Sequence, residues 1–141
     1  MKEQLEERAL LSICIPTFNR APFLGHLLNA LCEDKAHVQC EILIADNAST
    51  DDTSAVVQKF SRTNNHITYF RHAQNIGFDQ NVISLTRMAR GLYVWFIGDD
   101  DSIFPGAIGK IHDLIGGRQY GGVILNGVPF DFETVSYTHL T

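Results

Sequence analysis

The chain has no C-x-x-C pair, no glycine-rich phosphate loop and no long apolar run. Its three cysteines, Cys14, Cys32 and Cys40, are odd in number and scattered. That argues against a disulfide framework or a zinc site and makes a reducing cytoplasm the expected compartment. No G-x-G-x-x-G follows the first strand-like run and no G-x-x-x-x-G-K-[ST] occurs, which disfavours a dinucleotide oxidoreductase and a P-loop nucleotidase. Nothing approaches the length of a membrane span, and residues 1–8 are charged where a secretory signal would be apolar. Peripheral association with the inner face of a membrane stays open. Positive charge is scarce as well, with 11 Lys and Arg against 16 Asp and Glu and a formal net charge of −5. Binding to a nucleic-acid backbone needs the opposite balance, so no nucleic-acid partner is expected. A nucleotide whose phosphates are neutralised by a metal remains compatible. The six histidines show no metal-ligand spacing and read mostly as surface residues.

What is present fits one folded domain. The 141 residues are 45% apolar and 19% charged, enough for a real core. Leu10-Leu11-Ser12-Ile13-Cys14-Ile15 reads as a buried strand, with Cys14 a small core residue. Phe23, Leu24, Leu27, Leu28 and Leu31 recur at helical spacing over residues 22–31. Glu41-Ile42-Leu43-Ile44-Ala45 is a second strand, and Ser49-Thr50-Asp51-Asp52 offers caps for a helix carrying Val56, Val57 and Phe60. Ile67-Thr68-Tyr69-Phe70 is a third strand, and residues 78–89 a helix containing Val82, Leu85, Thr86 and Met88. Tyr93-Val94-Trp95-Phe96-Ile97 is a fourth strand, with Trp95 in the core. A helix from Pro105 buries Ile108, Ile111, Leu114 and Ile115, and Val123-Ile124-Leu125 is a fifth apolar run. Apolar strands alternating with helices predict an α/β fold, a Rossmann-like and mainly parallel sheet covered on both faces. The expected organisation is an N-terminal extension (1–9), an α/β domain (10–128) and a tail (129–141). The tail fits no element, resembles translated adapter sequence, and is expected to be truncated or non-native.

Asp99-Asp100-Asp101 follows the fourth strand directly. Clustered carboxylates at a strand end are costly unless a cation shares the site, and Mg²⁺ or Mn²⁺ takes oxygen ligands together with substrate phosphates. The alternative is a solvated acidic turn capping the next helix. Two other polar loops, residues 16–20 and 46–52, also follow strands. Ligands of open parallel sheets sit outside the carboxyl ends of strands, so the three loops are expected to form one site.

Taken in order, Ile13-Cys14-Ile15-Pro16-Thr17-Phe18-Asn19-Arg20, Ile44-Ala45-Asp46-Asn47-Ala48-Ser49-Thr50-Asp51-Asp52-Thr53, Asn75-Ile76-Gly77 and Phe96-Ile97-Gly98-Asp99-Asp100-Asp101 resemble the nucleotide-sugar-binding half of a family 2 glycosyltransferase with the A-type fold. The resemblance runs from about Leu10 to Ile115. Its acidic loop also resembles that of bacterial enzymes that add sugars, including dideoxy sugars, to surface polysaccharide. It implies transfer from a nucleoside-diphosphate sugar to a glycan or lipid-linked acceptor, with metal assistance and inversion. Pro16 and Thr17 would border base and ribose, with Asn19 in the same motif. Asp46 would accept a hydrogen bond from the nucleobase, and Asp99 would hold the ribose. Asp100 would ligate Mg²⁺ or Mn²⁺, and Asp101 would either ligate it too or cap the helix near Pro105. Asn75 and Gly77 match an N-x-G turn, where glycine permits a positive φ or close approach, and Asn75 counts among the donor-site candidates. The usual acidic loop is D-x-D-D, and Gly98 stands at its first position.

In that family the general base lies downstream of the acidic loop. Only Asp113, Asp131 and Glu133 follow Asp101, and none is assigned that role. Asp113 reads as a solvated helix position. Arg71 reads as a surface arginine or a phosphate or base contact, and Asn81 as a solvated helix position or a sugar contact. Two further functions remain open: a non-catalytic nucleotide-binding module, and a sugar nucleotidyltransferase using the same acidic site.

Overall fold

The computed structural model describes residues 9–127 and the short segments 130–131 and 136–137. Strands β1 (Leu11–Thr17), β2 (Glu41–Asp46), β3 (Ile67–Arg71) and β4 (Tyr93–Phe96) form one sheet in the order β3-β2-β1-β4. Every pairing in it is parallel. Helices α1 (Ala21–Glu33), α2 (Thr53–Ser61) and α3 (Phe78–Met88) cross between the strands, and α4 (Ala107–Gly116) follows β4. Strands β5 (Phe130–Asp131) and β6 (Ser136–Tyr137) make a separate antiparallel pair within the stretch expected to lack elements. Two-residue strands are too short to leave a periodic trace in sequence. Glu133 lies outside the described residues.

The pleat of the two central strands divides the core. Leu11, Ile13 and Ile15 of β1 and Ile42 and Ile44 of β2 point to one face, where they meet Leu24, Leu27, Leu28 and Leu31 of α1, Val57 of α2 and Ile108 and Ile115 of α4. Cys14, Leu43 and Ala45 point to the other, where α3 supplies Leu85 and Met88. This is the period-2 alternation that lets a central strand be apolar throughout. The α1 stripe recurs at i, i+3, i+4 and i+7, and Pro22 sits in its first turn, where a missing N–H costs nothing.

Two sequence expectations change here, and one apolar run takes no regular form. The strands are not all buried on both faces: among the described residues β4 is an edge strand, with Val94 39% and Phe96 43% exposed. Val123, Ile124 and Leu125 form no strand, and Ile124 is 94% exposed. Leu114 is exposed on α4, because only Ile108 and Ile115, seven residues apart, face the sheet squarely.

The start of α4 is held from a distance. Buried Asp34 accepts from Ala36 N through Oδ1 (3.1 Å) and from Ile108 N through Oδ2 (2.8 Å). It therefore caps both the 3₁₀ turn Lys35–Gln39 and α4. The acidic triplet does not cap this helix, which begins at Ala107, well past Asp101. The histidines are not all surface residues either: His37 is buried, with Nδ1 2.7 Å from His66 Nε2. No described helix is long and apolar enough to cross a membrane.

The amino-terminal end of the sheet is closed by a polar clamp. Ser12 Oγ donates to Glu41 Oε2 (2.6 Å) and accepts from Gly91 N (2.8 Å), while Arg90 N and Nε donate to Glu41 at 2.9 and 3.2 Å. Burial alone would raise the Glu41 pKa, but the bonds from Ser12 and Arg90 outweigh it and the net shift is downward. A Cβ at position 91 would lie 2.6 Å from Ser12 N, so glycine is needed for this close approach.

Candidate functional site

The carboxyl ends of the strands form the opposite rim. In register, Thr17 of β1 lies beside Asp46 of β2, which lies beside Arg71 of β3. The loops that follow β1, β2, β3 and β4 surround a cleft of about 810 Å³. Pro16, Thr17, Asn75, Asp99 and Asp100 line it, so five of the eight residues picked from sequence share one cavity. Asn19, Asp46 and Asp101 do not line it.

Asp46 is fully buried and its oxygens are taken. Oδ1 accepts from Ser49 N (2.9 Å) and Ser49 Oγ (2.6 Å), and Oδ2 accepts from Tyr69 Oη (2.5 Å), with Arg71 Nε at 3.8 Å. Burial, then the bond and charge of Asp46, push the Tyr69 phenol up to about 12. Arg71 also donates from Nη2 to Ser49 O (2.9 Å). Asp46 thus stitches β2, β3 and the loop after β2 beneath the cleft.

Asn19 ties two loops together. Its φ is +50°, a region asparagine tolerates. Its N–H donates to Ser49 Oγ (2.8 Å), and its Oδ1 accepts from Thr50 N (2.7 Å). Ala21 N adds a bond to Asp51 Oδ2 (3.0 Å). Asn47, buried beside Asp46, donates to Asn75 Oδ1 (2.9 Å) and accepts from Ile76 N (2.8 Å). Asn75 Oδ1 also accepts from Gly77 N, and Gly77 has the positive φ (+84°) that its place in the motif suggested. Asn81 is not solvated: it is buried, donates to Ala45 O (2.9 Å) and pairs with His72 Nε2 (2.9 Å).

The acidic loop turns tightly. Asp101 N bonds Gly98 O, and Asp101 Oδ2 accepts from Gly98 N, both at 3.0 Å. Asp101 therefore closes its own turn, while Asp99 and Asp100 face the cleft. Thr17 Oγ1 donates to Asp99 Oδ2 (2.9 Å). Asp99 is mostly buried, and burial raises its pKa, with a smaller rise from the Asp100 charge; Thr17 and Arg20 act in the opposite direction. Arg20 Nη1 lies 2.6 Å from Asp100 Oδ2 and 3.8 Å from Asp99 Oδ1.

Among the described residues no three His, Cys, Asp or Glu side chains converge as a ready-made metal cage. Two adjacent carboxylates nevertheless fit Mg²⁺ or Mn²⁺, which is bound through one or two carboxylates and completed by substrate phosphates. The cleft lining also includes apolar side chains: Phe78 and Val82, one turn apart on α3, with Phe18 and Phe96. Sequence reasoning singled out neither these aromatics nor Arg20 as site residues. Arg20 stood in plain view within the first motif, but position in a motif does not say which way a side chain turns.

The family model described as Glycosyl transferase family 2 matches residues 12–141. Abequosyltransferase RfbV of Salmonella typhimurium is 40% identical over 96 residues, which is 67% of this chain and 29% of that protein. The crystal structure of S. aureus TarS 1-349 in complex with UDP-GlcNAc superposes with a TM-score of 0.71 at 25% identity, covering 85% of this chain and 37% of that one. A mannosyltransferase from Pyrobaculum calidifontis, in complex with GDP-Man and Mn²⁺, shares the fold with a TM-score of 0.64 at 24% identity, covering 70% of this chain and 30% of that one. The fold is thus the glycosyltransferase A-type α/β fold, and the chain spans 29% of the length of RfbV and 37% of TarS 1-349.

Proposed function

The chain belongs to glycosyl transferase family 2, and from that footing we propose that it forms the donor-binding part of an enzyme transferring sugar from a nucleoside-diphosphate sugar to a glycan or lipid-linked acceptor. The observation that carries this reading is the convergence of Thr17, Asp99 and Asp100 on one cleft at the carboxyl rim of a parallel sheet. Breaking a sugar–phosphate bond leaves a nucleoside diphosphate with growing negative charge. A bound Mg²⁺ or Mn²⁺ supplies Lewis-acid stabilisation of that leaving group. Asp100, half exposed at the cleft mouth, is the residue that would hold it. Asp99, kept in place by Thr17 Oγ1, faces the ribose. Asp46 holds the floor on which the base rests, through Ser49 and Tyr69, in place of a direct bond to the base. Inversion at the anomeric carbon follows from the family reading, with attack by the acceptor from the face opposite the diphosphate. The apolar side chains of Phe78, Val82 and Phe96 in the lining offer no hydrogen bond and suit a sugar face lacking hydroxyls. That agrees with the resemblance of the acidic loop to those of enzymes adding dideoxy sugars.

Calorimetric titration with UDP, dTDP, CDP and GDP, with and without Mn²⁺, tests this. At least one is expected to bind in a Mn²⁺-dependent manner, and Asp100→Asn to remove that dependence while leaving the melting transition nearly unchanged. A folded chain that binds none of the four refutes the reading.

A further inference from the structure

We infer that Arg20 is the resident counter-ion of Asp99 and Asp100, and that it yields the pair to the donor's divalent cation and takes the donor's diphosphate instead. This rests on the cation-assisted donor site proposed above. Three observations carry it.

The first is the contact itself. Arg20 Nη1 lies 2.6 Å from Asp100 Oδ2 and 3.8 Å from Asp99 Oδ1, and all three residues line the cleft. The guanidinium sits at the carboxylates where a cation would bind. Guanidinium and cation therefore compete for the same oxygens.

The second is the contrast between the arm and its base. The backbone on either side of Arg20 is pinned by Asn19 N to Ser49 Oγ, by Thr50 N to Asn19 Oδ1 and by Ala21 N to Asp51 Oδ2. The Arg20 side chain is 48% exposed and that of Asp100 50% exposed. An ion pair this exposed is weak, so a divalent cation with twice the charge displaces it. The fixed backbone then keeps the freed guanidinium over the same cleft.

The third is the chemistry of the replacement partner. A guanidinium offers parallel donors that match two phosphate oxygens, and a diphosphate is the group the cation brings with it. Arg71, the cation at the β3 end of the rim, already donates to Ser49 O. Arg20 acts here as a positioning residue, holding the acidic pair poised before loading and the leaving group afterwards.

The exchange predicts effects of opposite sign from one substitution. In Arg20→Gln, affinity for Mn²⁺ alone, read by electron paramagnetic resonance of free Mn²⁺, rises by up to about fivefold, the worth of one exposed ion pair. Affinity for the best-binding of UDP, dTDP, CDP and GDP in saturating Mn²⁺ falls about tenfold, the worth of a charged hydrogen bond. Arg20→Lys keeps Mn²⁺ affinity near wild type and recovers only part of the nucleotide affinity, because an ammonium cannot make two parallel bonds. A merely structural role would weaken both affinities together, and that result, or an unchanged Mn²⁺ affinity, overturns the inference. If wild type binds nucleotide with Mn²⁺ and Asp100→Asn abolishes the dependence while Arg20→Gln changes nothing, only the Arg20 assignment falls. If wild type binds none of the four nucleotides, the functional reading falls first and takes this one with it.

Discussion

Replacing Asp46 with asparagine separates two roles for the same carboxylate: a contact to the base, or a tie beneath it. Asp46 is fully buried and receives three hydrogen bonds, two from Ser49 and one from Tyr69. In Asp46→Asn the amide oxygen can keep both Ser49 donors. The amide nitrogen then faces Arg71 donor against donor, and Tyr69 loses its charged acceptor and can only accept from the amide. Losing the charged bond to Tyr69 costs about 1.5–3 kcal/mol. The Arg71 contact adds little, because it spans 3.8 Å and Arg71 is 44% exposed. The expected loss is about 2–3 kcal/mol, measured by urea unfolding with an unchanged m value. Asp46→Ala also unties Ser49 and should cost about 3–5 kcal/mol. Ultraviolet titration of the tyrosines gives a second reading. The Tyr69 pKa, pushed up to about 12, should fall in Asp46→Asn but stay above 10, since burial, the larger cause, persists. If Asp46→Asn is as stable as wild type, leaves Tyr69 unchanged and still loses nucleotide selectivity, Asp46 reaches the ligand directly and the tie is refuted.

Three other perturbations probe the scaffold. Leu85→Ala removes the fully buried α3 side chain that meets Cys14, Leu43 and Ala45, and should cost about 2–5 kcal/mol in urea unfolding, with amide exchange in α3 rising first. Gly91→Ala forces a Cβ to within 2.6 Å of Ser12 N and 2.8 Å of Tyr93 O, mostly unyielding backbone, and should lower stability by about 1–3 kcal/mol. Because the Glu41 pKa is depressed in the fold, its contribution is present above the ordinary value of 4.5 and is lost as pH falls through the lower folded value. Glu41→Gln should therefore flatten the acid limb of a stability–pH profile and lower the plateau above it.

Much of this architecture was legible from composition and period. The stripe of Leu24, Leu27, Leu28 and Leu31 and the unbroken apolar runs of β1 and β2 specified central parallel strands and a crossover helix. The edges were not legible. Tyr93-Val94-Trp95-Phe96 reads the same whether one partner or two lie beside it, and only the strand order shows β4 at an edge with Phe96 exposed. Val123-Ile124-Leu125 has strand propensity, yet propensity without a pairing neighbour does not make a strand. Nor could local sequence show that Asp34 would cap α4, since the two lie 74 positions apart in the chain.

The same limit operates inside the site, where it separates two kinds of carboxylate. Sequence placed Asp46, Asp99, Asp100 and Asp101 at strand ends, and the structure puts all of them at one rim. What sequence could not supply was the count of donors each one already satisfies. Asp46 is saturated by Ser49 and Tyr69, and Asp101 is turned onto Gly98 N. Asp100 meets only a half-exposed guanidinium, whereas Asp99 is mostly buried, accepts from Thr17 Oγ1 and keeps its other oxygen 3.8 Å from that guanidinium. A buried carboxylate whose acceptors are filled has little left to offer a ligand; one facing solvent has both charge and lone pairs to give. By that count Asp100 is the carboxylate the fold leaves freest for a ligand, while the bonds of Asp46 and Asp101 tie the loops around it.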